Sequence, residues 1–415
     1  MNYKTLALIL LCVIGLYKLW KLWLEKKSFS NPIPENVRDV YDKERYAKWR
    51  SYSAEKLRVS LWSTLYSFVI MVLLIATNAY SAFAALFGKN VYWCSLAVTL
   101  MSTLCDSVLA CVFGYIDDMV VEQKYGFNTM KKGTFVADQI KQLLISLILS
   151  LALTFMLCGF HQWLGALMPV VFAGVLFVFA LMISFLFPFL SKIFNKFTPL
   201  EDGELKDKLT ALLSGHGFSV RAIQVMDASR RSKKSNAYFT GLGKTKTIVL
   251  YDTLVASSTP DEICAVFAHE MGHGLHRDTK KMQLLNLLNV CLIAAAAYLT
   301  VCFAELFVPF GFESVNYGFA MILVGSIELE ILSPLTGLIT NAISRRHEYR
   351  ADAQAIQEGY GAPLISALKT LARENFANLA PSPVLVKMEY SHPTLSNRIA
   401  AIERAMQKDQ NRTAN

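Results

Sequence analysis

Charge is scarce in this chain. Only 18% of its 415 residues are Asp, Glu, Lys or Arg, while 54% are hydrophobic and the mean hydropathy is +0.36. Soluble domains carry about 25% charged residues, so this balance excludes an ordinary soluble domain and points to the lipid bilayer. There are eight cysteines and no C-x-x-C pair. A disulfide scaffold and a thiolate zinc site are therefore excluded, and the cysteines read as small packing residues. No nucleic-acid-binding motif is present, so the net charge of +9 needs another explanation. The first apolar run lacks a small-x-small cleavage site and passes into an aromatic and basic anchor, Lys18 to Lys27, which argues against a removable signal peptide.

What the chain has is apolar length. Seven segments, 4–24, 60–87, 91–116, 143–163, 165–190, 283–309 and 317–343, are long enough to span a hydrocarbon core as helices. Lys and Arg crowd the connections 25–59, 117–142 and 191–282 and the tail after 344, whereas the alternate connections contribute only Lys89. With seven spans all the basic connections fall on one side, which the positive-inside rule makes cytosolic. The excess of positive charge is thereby explained as headgroup contact and orientation. Asp106, Glu305, Glu328 and Glu330 lie within spans with no Lys or Arg at comparable depth, and water reaching into the bundle is the expected resolution.

One polar segment carries chemistry. His269-Glu-Met-Gly-His273 places two imidazoles one helical turn apart, where they can share a metal ion, and puts Glu270 beside it as a proton acceptor. Thr259 as N-cap, Pro260 at the first helical position and Glu262 closing a capping box predict a helix start just upstream. Ile263, Val266, Phe267 and Met271 make an apolar face, and Glu262, Ala265, His269, Gly272, His273 and His276 form another stripe. His276 lies about 10 Å along the axis from His269, too far to share the same ion. Downstream, Glu348 and Asp352 are again one turn apart. One can bind zinc while the other accepts the free ring N–H of a histidine, and three protein ligands with one open position is the catalytic zinc pattern.

The motifs extend along the chain: Lys124-Tyr-Gly-Phe-Asn128, Ser235-Asn-Ala-Tyr-Phe-Thr-Gly241, Ile248-Val-Leu-Tyr-Asp-Thr-Leu254, the two metal-binding stretches, and Tyr390-Ser-His-Pro-Thr-Leu395 through Arg398. In this order they resemble the integral-membrane zinc metallopeptidases of the type 1 CaaX prenyl protease family. The resemblance implies a predominantly α-helical multi-pass membrane protein, with seven helices around a water-filled chamber and a gluzincin-like peptidase domain carrying a small β-sheet. The corresponding division is 1–190 for five spans, 191–282 for the first part of the peptidase domain, 283–343 for two spans and 344–415 for its second part. One Zn²⁺ is implied, held by His269, His273 and Glu348, with Glu270 as general base and Asp352 supporting a ligand. The implied reaction removes the aaX tripeptide of a prenylated protein or peptide.

Asn236 and Ala237 match the family's substrate strand, and an edge strand near 235–239 or 247–251 would pair with an extended peptide. His392 and Arg398 match positions near the site. A donor there stabilises an oxyanion, which makes His392 a catalytic candidate and Arg398 a substrate-contacting one. A helix N-terminus at Pro393 and a salt bridge are their structural alternatives. His273-Gly-Leu-His-Arg-Asp278 resembles bacterial quality-control membrane proteases, which place an acid five residues after the second histidine, so a broad-specificity protease is the second reading. A transporter or scaffold on a decayed protease fold is the third. The expected setting is a bilayer with the site facing the cytosol, in the endoplasmic reticulum of a eukaryote or the cytoplasmic membrane of a bacterium.

Overall fold

The computed structural model describes residues 2–216, 219–240 and 245–413. Helix α1 (Tyr3–Ser28) is capped by Asn2, whose side chain accepts the Lys4 N–H at 3.0 Å. Asp42 caps α2 (Lys43–Ala76) in the same way, so the basic stretch from Lys43 to Arg58 is a helical extension of the second span and not a loop. A short α3 (Ala79–Ala85) precedes α4 (Val91–Gly114), which passes through a π-helical stretch, Tyr115–Glu122, into a one-turn α5 (Gln123–Tyr125). Next come α6 (Lys132–Leu164) and α7 (Met168–Ser191).

Among the described residues six continuous stretches are apolar and long enough to cross a bilayer, and one of them, Lys132–Ser184, has 53 residues. As a single rod it would extend about 80 Å, far beyond a hydrocarbon core of about 30 Å. It breaks at Gly165, whose φ of 52° suits glycine, so this stretch supplies two of the seven expected spans.

The polar unit begins with β1 (Phe197–Pro199), α8 (Glu204–Gly215), β2 (Ser219–Met226), β3 (Ala237–Thr240) and β4 (Thr245–Tyr251), followed by a short α9 (Asp252–Ser257) and α10 (Pro260–Leu275). The strands form one mixed sheet in the order β1-β2-β4-β3, parallel at the centre and antiparallel at both sides. Spanning helices return with α11 (Asp278–Cys302), α12 (Tyr317–Leu323) and, after a π turn at Val324–Glu328, α13 (Leu329–Gln357). Three helices close the chain: α14 (Gly361–Glu374), α15 (Pro383–Glu389) and α16 (Leu395–Thr413). Both α11 and α13 run unbroken from the spans into the polar unit, which makes each a rigid strut.

One core lies among the spans, and a second joins the sheet to α10 through Leu209, Leu213, Ile248, Leu250 and Phe267. The carboxylates in the spans are treated individually. Lys18 of α1 pairs with Glu330 at 2.8 Å, which corrects the expectation that no basic residue reaches that depth. The Thr300 hydroxyl donates to Glu328 at 2.6 Å, and Asp106 and Glu305 are exposed.

Candidate metal centre

Helix α10 starts as its sequence dictates. The Thr259 N–H donates to Glu262 at 2.8 Å and the Glu262 N–H to the Thr259 hydroxyl at 3.3 Å, the reciprocal capping box. Ile263, Phe267 and Met271 face the sheet core. On another side of α10, Ala265 and Ala268 pack with Ala355 of α13, Leu364 of α14 and Ile402 of α16. A Cβ on Gly272 would lie 2.9 Å from the Ala351 Cα and 3.0 Å from the Gln354 Cβ. Only glycine permits this approach of α10 to α13, and the approach carries both imidazoles to the carboxylates of α13. Helical spacing alone assigns Gly272 to a stripe; its packing role follows only from the contact with α13.

Glu348 and Asp352 are 4% and 2% exposed. His269 Nε2 is 3.5 Å from Glu348 Oε2, and His273 Nε2 is 3.3 Å from Glu348 Oε1. Donors bonded at about 2.0–2.1 Å to a tetrahedral ion lie about 3.4 Å from one another, so this donor set fits one metal. Ligand atoms of His269, His273 and Glu348 all fall within 4.8 Å of one another. Glu348 Oε2 is buried and accepts no hydrogen bond among the described residues, and the guanidinium of Arg398 stands 3.4 Å away. An orphaned buried acceptor costs about 1–3 kcal/mol, a cost that a cation between these groups would remove.

The far side of each imidazole is held by a carboxylate. His269 Nδ1 donates to Asp352 at 2.8 Å and His273 Nδ1 to Asp278 at 3.2 Å. A proton on each Nδ1 leaves both Nε2 lone pairs for a metal. The spacing of Glu348 and Asp352 leaves their division of labour open; in the structure Glu348 faces both Nε2 atoms and Asp352 only the Nδ1 of His269. Arg398, 9% exposed, donates to both oxygens of Asp352 at 2.9 and 2.6 Å. Its guanidinium thus makes a buried ion pair, the structural alternative weighed for it.

The role of Asp278 toward His273 was not read from the sequence, although its spacing was noticed. Arg277 adopts a φ of 56° between α10 and α11, and this tight turn puts Asp278, 3% exposed, against His273 and within 2.6 Å of the Arg350 guanidinium. Asp278→Asn preserves shape but weakens the anchor, and metal affinity measured by chelator competition is expected to fall about 10- to 100-fold. Unchanged affinity would assign the orientation of His273 to another group.

The opposite side of the donor set is less buried. Glu270 and His273 are half-buried, and the charge of Glu270 acts on His273, His392 and Arg398. His392 is 61% exposed in its side chain, with Nε2 3.4 Å from Glu348 Oε1. Thr394, not His392, caps α16, accepting the Asn397 N–H at 3.2 Å, so the imidazole is free of a capping role. His276 is exposed at the end of α10, outside the donor set. Asn236 is exposed immediately before β3, and Ala237 begins that strand. Of the two edges expected, β3 is the edge strand and β4 lies inside the sheet.

Long apolar helices joined to a buried His-His-Glu donor set define a multi-pass membrane metallopeptidase. Residues 24–196 match a family model described as CAAX prenyl protease N-terminal, five membrane helices, and residues 199–406 match Peptidase family M48. The chain belongs to peptidase family M48. It is 31% identical to CAAX prenyl protease 1 of Saccharomyces cerevisiae, over 93% of this chain and 92% of that one. A CAAX prenyl protease 1 homolog of Oryza sativa subsp. japonica is 29% identical over 97% and 98% of the two chains. The crystal structure of S. mikatae Ste24p superposes with a TM-score of 0.90 at 28% identity, over 97% of this chain and 99% of that one.

Proposed function

We propose that this chain is a zinc metalloendopeptidase that removes the C-terminal aaX tripeptide of prenylated CaaX proteins at the cytosolic face of a membrane. The observation that carries the reading is the convergence of His269, His273 and Glu348 within 4.8 Å, beside a less buried side bearing Glu270 and His392. The substrate assignment is supported by relatives named as CAAX prenyl proteases that align over nearly the whole chain. The site lies among the basic connections, which supports a cytosolic orientation, in the endoplasmic reticulum of a eukaryote or the cytoplasmic membrane of a bacterium. The peptidase unit is split by two spans into 191–282 and 344–415.

His269, His273 and Glu348 would hold the zinc, with Asp352 and Asp278 fixing the two imidazoles. When bound, zinc supplies a Lewis acid to the scissile carbonyl and acidifies a water molecule. Glu270 takes a proton from the attacking water and returns it to the leaving amine. His392 offers an N–H to the carbonyl oxygen as negative charge builds there. The edge of β3, entered through Asn236 and Ala237, pairs with the substrate backbone and sets its direction. Arg398 holds Asp352 in place.

The test compares a farnesylated CaaX peptide with its unprenylated twin on purified protein. Cleavage of the prenylated peptide, abolished by a zinc chelator and restored by zinc, is expected. Equal cleavage of both peptides would replace this reading with broad-specificity proteolysis.

A further inference from the structure

The motif Lys124-Tyr-Gly-Phe-Asn128 has no part in the metal centre, yet its backbone meets the segment that leads into β3. The Lys233 N–H donates to the Phe127 carbonyl at 2.9 Å and the Thr129 N–H to the Arg231 carbonyl at 3.2 Å, while Asn128 faces Ser232 in an antiparallel bridge. One residue on, Lys234 Nζ donates to Glu122 Oε1 at 2.9 Å. The same oxygen accepts from the Tyr52 hydroxyl at 2.6 Å and from Lys56 at 2.9 Å. Glu122 is the last residue of the π-helical stretch that ends the third span, and its side chain is 9% exposed. The contact is charge-assisted and its carboxylate end is shielded from water, while the Lys234 side chain is 36% exposed.

The next two residues are held as well. Asn375 accepts the Ser235 N–H at 3.0 Å and donates to the Ser235 carbonyl at 3.1 Å, so one side-chain amide stands in for a neighbouring strand. The Tyr251 N–H then donates to the Asn236 carbonyl at 3.1 Å, and β3 begins. Each residue from Arg231 to Asn236 is therefore fixed by a neighbour. The reason is physical: β3 has only four residues, and a slip of one would turn its side chains to the opposite face and move the N–H and C=O groups along its edge out of phase with a bound peptide.

We infer that Lys234 is a positioning residue, pinned by Glu122 at the end of the third span, and that it sets the register in which β3 presents its edge to substrate. The inference rests on the reading that this edge takes the peptide. It gives the Lys124–Asn128 motif a role: it is the bracket between the membrane bundle and the substrate strand.

The test uses the full chain, zinc-loaded in detergent, and prenylated peptides that share one cleavable bond but extend to different lengths upstream of it. In the wild type KM is expected to fall as the peptide lengthens along β3. Lys234→Met keeps the aliphatic stem and leaves Glu122 with Lys56 and Tyr52. With it, KM for the long peptide is expected to rise about tenfold, the cost of a lost charged hydrogen bond. KM for the short peptide, kcat and bound zinc should stay within about twofold, and Lys234→Arg should restore most of the loss. Equal losses for long and short peptides, or an unchanged length dependence in Lys234→Met, would overturn the inference. A wild type without any length dependence would instead remove the edge reading beneath it. If Lys234→Met fails to fold, Glu122→Gln, which keeps the shape of the partner but removes the charge that pins Lys234, carries the same expectations and the same refutations.

Discussion

Glu270→Gln protein is expected to keep its metal and to cleave peptide at least about a hundredfold more slowly than the wild type. Glutamine has the size and shape of glutamate, so the packing of α10 through Ile263, Phe267 and Met271 is undisturbed. Glu270 stands outside the His269, His273 and Glu348 donor set, which leaves metal content as an internal control. What the amide cannot do is accept a proton from water at neutral pH. The loss should appear in kcat, with KM little changed, because the proton moves only on the way to the transition state. The measurement is kcat on a prenylated peptide, normalised to zinc per chain. Activity within about threefold of wild type at full metal occupancy would place the general base elsewhere.

The parts of this site that were legible in the sequence are those governed by short-range rules. The capping box at Thr259 and Glu262 obeys a spacing of three residues, and His269 with His273 obeys the helical turn; both stand in the structure as read. The spans were legible through unbroken apolar length. A gap between the fourth and fifth spans is expected at residue 164 and the break falls one residue on, at Gly165, although by length alone the two form one stretch. What stayed hidden depends on contacts between distant segments. Nothing local states that Gly272 must be small because Ala351 lies 2.9 Å from where a Cβ would sit. Lys18 was read as an anchor at the membrane surface, and its pairing with Glu330 needs the packing of the first span against the seventh. Asp278 gave a partial signal, since an acid one turn beyond a metal-binding histidine can fold back on it. The positive φ of Arg277 that makes this possible is not written in the residue type.

Glu348→Ala is expected to remove the metal and with it all peptide cleavage. This carboxylate is 4% exposed and is the only group among the described residues that faces both imidazole Nε2 atoms, at 3.5 and 3.3 Å. Without it two neutral imidazoles remain, a site with neither the third donor nor the negative charge that a divalent cation needs. Losing the orientation of a ligand costs about 10- to 100-fold in metal affinity, and loss of a ligand outright should exceed that range. The fold should survive, because Arg398 keeps its two bonds to Asp352 at 2.9 and 2.6 Å, and His269 keeps its bond to the same carboxylate. Removing Glu348 also leaves Arg398 with one buried counter-charge instead of two, so some loss of thermal stability accompanies the loss of metal. Zinc per chain after dialysis, together with the melting temperature, separates the two effects. A folded Glu348→Ala protein that retained one zinc per chain would remove this residue from the donor set.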